Sequence, residues 1–146
     1  MSRLHVHIAV TDLEQNIRFY SALFGTEPGV SKPDYAKWEL ADPAVNFAIS
    51  TRSPQRGLDH IGIQAESDNE LTEIRNRLEQ AGIAGLEQAD AACCYARSDK
   101  YWTRDPQGIA WETFHTLDSI PTFSAGKAET PASGCCTPKF GSGSCC

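Results

Sequence analysis

The feature that most restricts the fold is an internal repeat. When "HVHIAV" near the start is set over "HIGIQA" in the middle, His5 falls on His60, Val6 on Ile61 and Ile8 on Ile63, at an offset of 55 residues. Similarity in one strand carries little weight, but the order of the elements that follow also recurs. "DLEQNIRFYSALFG" has apolar residues at helical spacing between a candidate N-cap, Asp12, and a candidate stop, Gly25. "SDNELTEIRNRLEQAG" repeats this pattern with Ser67 or Asp68 as cap and Gly82 as stop. Short strands come next in both halves: "YAKWELA" and "VNFAIST" around "DPA", then strands around the turn "DPQG" within "CYARSDKYWTRDPQGIAWETFHT". Two copies of one strand-helix-strands unit, at about 1–52 and 57–117, account for a single domain over residues 1–117.

Beyond that point the composition turns to Ser, Thr, Gly and Pro without an apolar period. Residues 118–146 therefore read as a flexible tail, with two thiol pairs, Cys135-Cys136 and Cys145-Cys146. A net charge of -6 argues against nucleic acid and anionic membrane as partners, since both reward basic surface. No apolar run is long enough to span a bilayer, and "MSRLHVHIAV" lacks the regions of a signal peptide. The cytosol is the default location. There the six cysteines are expected as reduced ligands or reactive thiols, not as a disulfide framework.

Strand alternation places His5 and His7 on one face and Leu4, Val6, Ile8 and Val10 on the other, which should pack on the helices. His60, Gly62 and Gln64 share a face opposite Ile61 and Ile63. Across a pseudo-twofold in a curved sheet, His5 and His60 would converge. Glu112 in "AWETF" is a carboxylate on a strand, an unfavourable place for a charge without a partner. Two imidazoles and one carboxylate form the facial triad of non-haem Fe(II) oxygenases, which leaves positions open for dioxygen and substrate. By contrast His7 and His115 read as half-exposed polar residues, Asp59 and Glu39 as members of a solvated face, and Trp38 as core or pocket wall.

Cys93 and Cys94 are adjacent. Neighbouring Cα atoms stand about 3.8 Å apart, whereas disulfides span about 4.4–6.8 Å, so the two are poorly placed to bridge each other. Joint use of both sulfurs on one ligand requires a turn or bulge at this point. The competing reading is a pair of small buried hydrophobes. Tyr95 and Trp102, which read as core or pocket walls, are the further candidates for substrate contact.

"RLHVHIAVTDLEQNIRFYSALFG", "LDHIGIQA" and "DPQGIAWETF" resemble the vicinal oxygen chelate superfamily of glyoxalases and extradiol dioxygenases. "KPDYAKWELADPAVNFAIS" and "ACCYARSDKYWTRDPQGIAWE" are similar, more narrowly, to the carbon-arsenic lyases and cadmium-induced proteins. The resemblance implies an α+β fold of two βαβββ modules forming a cupped mixed sheet. It also implies Fe(II)- and dioxygen-dependent cleavage of the carbon–arsenic bond of trivalent organoarsenicals such as methylarsonous acid, giving inorganic arsenite. By position, His5, His60 and Glu112 would hold the metal and act in catalysis, and Cys93 with Cys94 would bind the arsenical. Some relatives carry glutamine at the first of these positions, which leaves the metal's identity open. The sequence also leaves open a homodimer. The alternatives are a thiol-based binder of cadmium or arsenite without turnover, and a glyoxalase- or dioxygenase-type enzyme of another kind.

Overall fold

Each half of the chain builds its strands and helix in the same order, and the resulting sheet makes the duplication explicit. The computed structural model describes residues 1–122; the tail pairs Cys135-Cys136 and Cys145-Cys146 lie outside the described residues. The first module comprises β1 (Arg3–Ala9), α1 (Leu13–Phe24), β2 (Val30–Lys32), β3 (Tyr35–Leu40) and β4 (Val45–Ser50). The second comprises β5 (Gly57–Gln64), α2 (Asp68–Gln80), β6 (Leu86–Cys93), β7 (Ala96–Arg104) and β8 (Ala110–Ser119). The strand order is β2-β3-β4-β1-β5-β8-β7-β6, a mixed, curled eight-stranded sheet. In each module the first strand lies parallel to the last, and the two first strands meet antiparallel at the centre.

Local chemistry accounts for the helix limits. The Asp12 carboxylate accepts a hydrogen bond from the Gln15 backbone N–H at 2.8 Å, and Gly25 closes α1 at φ 69°, a left-handed value that glycine adopts without steric cost. Ser67 caps α2 through the Glu70 N–H, and Gly82 follows the helix at φ 72°. On the helix face of the first module, Val6, Ile8 and Val10 pack with Ile17, Tyr20 and Phe24 as the alternation predicts. Leu4 departs from that expectation and is exposed.

Two strands were not evident in the sequence. β2 has three residues, and β6 has the composition "LEQADAAC", with few β-branched or aromatic side chains. Both sit at the sheet's edges, where pairing to one neighbour suffices. β8 runs to Ser119, two residues past the expected end of the domain, because Ala96 and Arg97 of β7 continue to pair with Ser119 and Asp118.

Candidate metal centre and thiol turn

Gly62 explains how donors from three strands can meet. It pairs with His5 on one side and with Glu112 on the other, so the strands that carry those two residues flank a residue without a side chain. His60 stands two residues away on the same strand. Over this floor His5 Nε2 and His60 Nε2 are 3.1 Å apart. Glu112 Oε2 lies 3.5 Å from the first and 3.3 Å from the second. All three residues are buried, at 5 %, 1 % and 4 % relative exposure.

The outer nitrogens and oxygen of this triangle are already engaged, which turns the remaining atoms inward. His5 Nδ1 is 3.1 Å from the Asn46 carbonyl, to which it donates in the tautomer that leaves Nε2 with its lone pair. His60 Nδ1 is 2.7 Å from Asp59 Oδ1, a carboxylate–imidazole pairing of the kind that orients metal-binding histidines. Asp59 therefore does not belong to a solvated face. Glu39 does: it is exposed and pairs with Lys37. The Lys100 ammonium, also buried, donates to Glu112 Oε1 at 2.5 Å and leaves Oε2 facing the histidines.

Burial holds His5 down at about 4, with the His60 neighbour acting in the same direction. Burial and His60 take His7 down to about 3. For His60 burial is outweighed by Asp59 and Glu112, which raise it. Burial would lift Glu112, but Lys100 and His60 keep it well below the usual carboxylate range. A neutral His5 and an ionised Glu112 are the protonation states that a metal requires of its ligands.

The donor set also fits a divalent ion by its spacing. Donors about 2.1 Å from a common centre and at right angles to each other stand about 3.0 Å apart, widening to about 3.4 Å at a tetrahedral angle. The observed edges of 3.1, 3.3 and 3.5 Å lie within about 0.1 Å of that range.

His7 is the residue that sequence reasoning undervalued. It is buried, its ring centroid is 4.8 Å from that of His60, and its nitrogens, with those of His5 and His60, form a three-imidazole cluster able to hold a metal ion. Its Nε2 is engaged with Ser50 Oγ at 2.9 Å. The available signal was parity: His5 and His7, two residues apart, share the cup face. Asn46, Ser50 and Lys100 carried no such signal, since each reaches the centre from a strand paired by the tertiary fold. His115 is half-buried on β8.

Cys93 and Cys94 line the same cavity as His5, His60 and Glu112. They sit at the tip of the β6–β7 hairpin, whose Cys93–Ala96 pairing leaves Cys94 and Tyr95 as the two loop residues, both at left-handed φ (58° and 61°). Two positive-φ residues in a two-residue loop are the type I′ signature, the turn that joint use of the sulfurs required. The sulfurs are 3.0 Å apart and not bonded to each other. Cys94 retains its thiol. Burial pushes the Cys94 thiol up to about 12.

Of the other two candidates, Trp102 is fully buried, stacks edge-on against His60 at 5.2 Å and donates from Nε1 to Gln88 Oε1; it backs the histidine cluster instead of lining the cup. Tyr95 also points away from the cavity, toward Asp34. The cup is small, about 40 Å³, room for roughly three waters. A larger apolar cavity of about 500 Å³, between α2 and the outer sheet face, is lined by Ile63, Ile74, Leu78 and Trp111 and includes no histidine or cysteine.

Comparison with known proteins agrees with this architecture. Residues 3–113 match the family model of the Glyoxalase/Bleomycin resistance protein/Dioxygenase superfamily. A trivalent organoarsenical cleaving enzyme of Bacillus sp. (strain MD1) is 40 % identical over 94 % of this chain and 92 % of its own length. The cadmium-induced protein CadI of Mycobacterium bovis is 35 % identical, over 93 % of each chain. Among solved structures, an extradiol ring-cleaving dioxygenase from Brevibacterium fuscum superposes with a TM-score of 0.61 at 16 % identity, over 81 % of this chain and 33 % of that one. A Mn(II)-bound glyoxalase from Novosphingobium aromaticivorans gives 0.59 at 18 %, over 87 % and 44 %. At such identities these two speak to the fold alone. With the paired modules, the buried histidine cluster and these relatives together, the chain belongs to the glyoxalase/bleomycin resistance protein/dioxygenase superfamily and is related within it to the trivalent organoarsenical cleaving enzymes.

Proposed function

We propose that this protein cleaves the carbon–arsenic bond of trivalent organoarsenicals, with Fe(II) held by His5, His60 and Glu112. The observation that carries the reading is that a vicinal cysteine pair lines the same small cavity as a two-histidine, one-carboxylate donor set. Its relatives named as trivalent organoarsenical cleaving enzymes support the choice of substrate class.

A monoalkyl arsenic(III) compound has two exchangeable oxygens and one carbon substituent. With both side chains as thiols, Cys93 and Cys94 can each displace one oxygen: two As–O bonds break, two As–S bonds form, and each thiol proton leaves with its oxygen as water. The dithiol then saturates arsenic and directs its carbon–arsenic bond into the cup. Lys100 keeps Glu112 ionised and turned inward, Asp59 and the Asn46 carbonyl hold the two imidazoles with their Nε2 atoms inward, and the buried walls exclude bulk water. When bound, ferrous iron with open positions supplies reactivity toward dioxygen that no side chain here can provide.

Anaerobic reconstitution with Fe(II), followed by methylarsonous acid and air, tests the reading. Arsenite formation with matching oxygen uptake is expected. Stoichiometric cadmium or arsenite binding without turnover would replace it with the sequestration role that the likeness to CadI favours.

A further inference from the structure

The thiol turn belongs to the second module, yet it is seated on the first. The Tyr95 hydroxyl donates to Asp34 Oδ1 across 61 residues of sequence. Asp34 lies in the β2–β3 turn, where its Oδ2 accepts from Arg52 Nε and its carbonyl accepts from the Thr51 N–H at 3.1 Å. The Tyr95 ring packs on Tyr35 at 5.8 Å, and the Lys32 ammonium stands 5.4 Å from its centroid. Behind it the Ile120 N–H donates to the Tyr95 carbonyl at 2.9 Å. Cys93, Cys94 and Tyr95 pack together against Tyr35 and Ala48.

This seating answers a local difficulty. Cys94 and Tyr95 are L-residues with side chains in a backbone region that favours glycine, so the turn's own preference does not hold it there. β6 is also the outermost strand and pairs with β7 alone. Left-handed non-glycine residues persist where the surroundings over-determine them, and such strain clusters at ligand clamps.

We infer that Tyr95, Asp34 and Arg52 are positioning residues: Arg52 fixes the Asp34 carboxylate, Asp34 holds the Tyr95 hydroxyl, and Tyr95 sets the cysteine pair at its station over the metal cup. The first module thereby decides where a ligand bound by the second module's thiols will stand. The consequence for catalysis rests on the proposed function; the anchoring itself does not. The Tyr95 hydroxyl is suited to the task, since burial and Asp34 push it up to about 12 and keep it a donor throughout the physiological range.

The test uses reduced full-length protein carrying Tyr95→Phe, Asp34→Asn or Arg52→Lys. Tyr95→Phe keeps the ring and removes the hydroxyl alone. Amide hydrogen exchange over residues 91–97 should become about tenfold faster in Tyr95→Phe and Asp34→Asn, with Arg52→Lys intermediate because it keeps the charge. Co(II) binding and the stoichiometry of phenylarsine oxide capture should match wild type, since neither the donors nor the thiols change. With methylarsonous acid, kcat should fall about tenfold or more while KM moves less, the mark of lost alignment. Wild-type exchange in both Tyr95→Phe and Asp34→Asn would overturn the anchoring. Faster exchange with unchanged kcat would overturn the positioning role. If the wild-type protein turns over no organoarsenical, the proposed function fails, and the exchange result alone decides the anchor.

Discussion

Replacing Gly62 by alanine should damage the fold and the proposed metal site together. A Cβ at this position would lie 1.7 Å from the Glu112 carbonyl oxygen, 2.6 Å from its carbonyl carbon and 2.9 Å from its nitrogen. All three are backbone atoms, so no rotamer change relieves the overlap. An ordinary C···O contact needs about 3.3 Å, so β5 and β8 must separate by roughly 1.5 Å at the pair that joins them. Overpacking of this kind costs about 1–3 kcal/mol. Opening the ladder beside it forfeits about two hydrogen bonds, at about 1 kcal/mol each. A loss of about 3–5 kcal/mol corresponds to a melting temperature lower by roughly 10–20 °C for a domain of this size. The same displacement widens the 3.3 Å approach of His60 Nε2 to Glu112 Oε2, so metal affinity should fall as well. Thermal unfolding by circular dichroism, with and without Co(II), and a Co(II) titration read both effects. A Gly62→Ala protein with wild-type melting temperature and Co(II) affinity would refute the claim that the bare backbone at Gly62 lets the donor strands meet.

Lys100→Met leaves the buried Glu112 carboxylate without its ammonium partner; the metal-free protein should lose about 3–5 kcal/mol by denaturant titration, and Co(II) should restore part of it by supplying a positive charge. His60→Ala should abolish stoichiometric Co(II) binding, whereas His7→Ala should retain it, because His7 Nε2 is engaged with Ser50; loss in both would assign the metal to the three-imidazole cluster. In metal-free protein the buried His5 and His7 titrate at about 4 and about 3, below the ordinary 6.5, so the unfolded chain binds more protons between those limits. Stability should therefore fall as pH drops from about 6.5 toward 4. The depressed Glu112 adds to the loss at lower pH, while the raised His60 opposes it by contributing stability that fades as pH rises. A melting temperature that rises on acidification to pH 5 in the presence of chelator would contradict this balance.

The sequence by itself determined the modular plan. Alternation in "HVHIAV" and "HIGIQA", the caps Asp12 and Ser67 and the stops Gly25 and Gly82 are local signals, and the 55-residue offset paired His5 with His60 before any contact was known. A strand carboxylate without a local partner marked Glu112 in the same way, and adjacent cysteines demanded a turn. What supports these residues became visible only in the tertiary structure. Asp59, Lys100, Asn46 and Ser50 look like ordinary polar strand residues until the parallel β1–β4 and β5–β8 pairings, the antiparallel β7–β8 pairing and the antiparallel junction of the two modules bring them to one centre. Tyr95 read as core or pocket wall, but its partner is Asp34, 61 residues away. His7 was read as half-exposed because parity alone cannot distinguish a solvated face from the floor of a closed cup. Sheet curvature decides that, and curvature arises from the pairing of all eight strands rather than from any one of them.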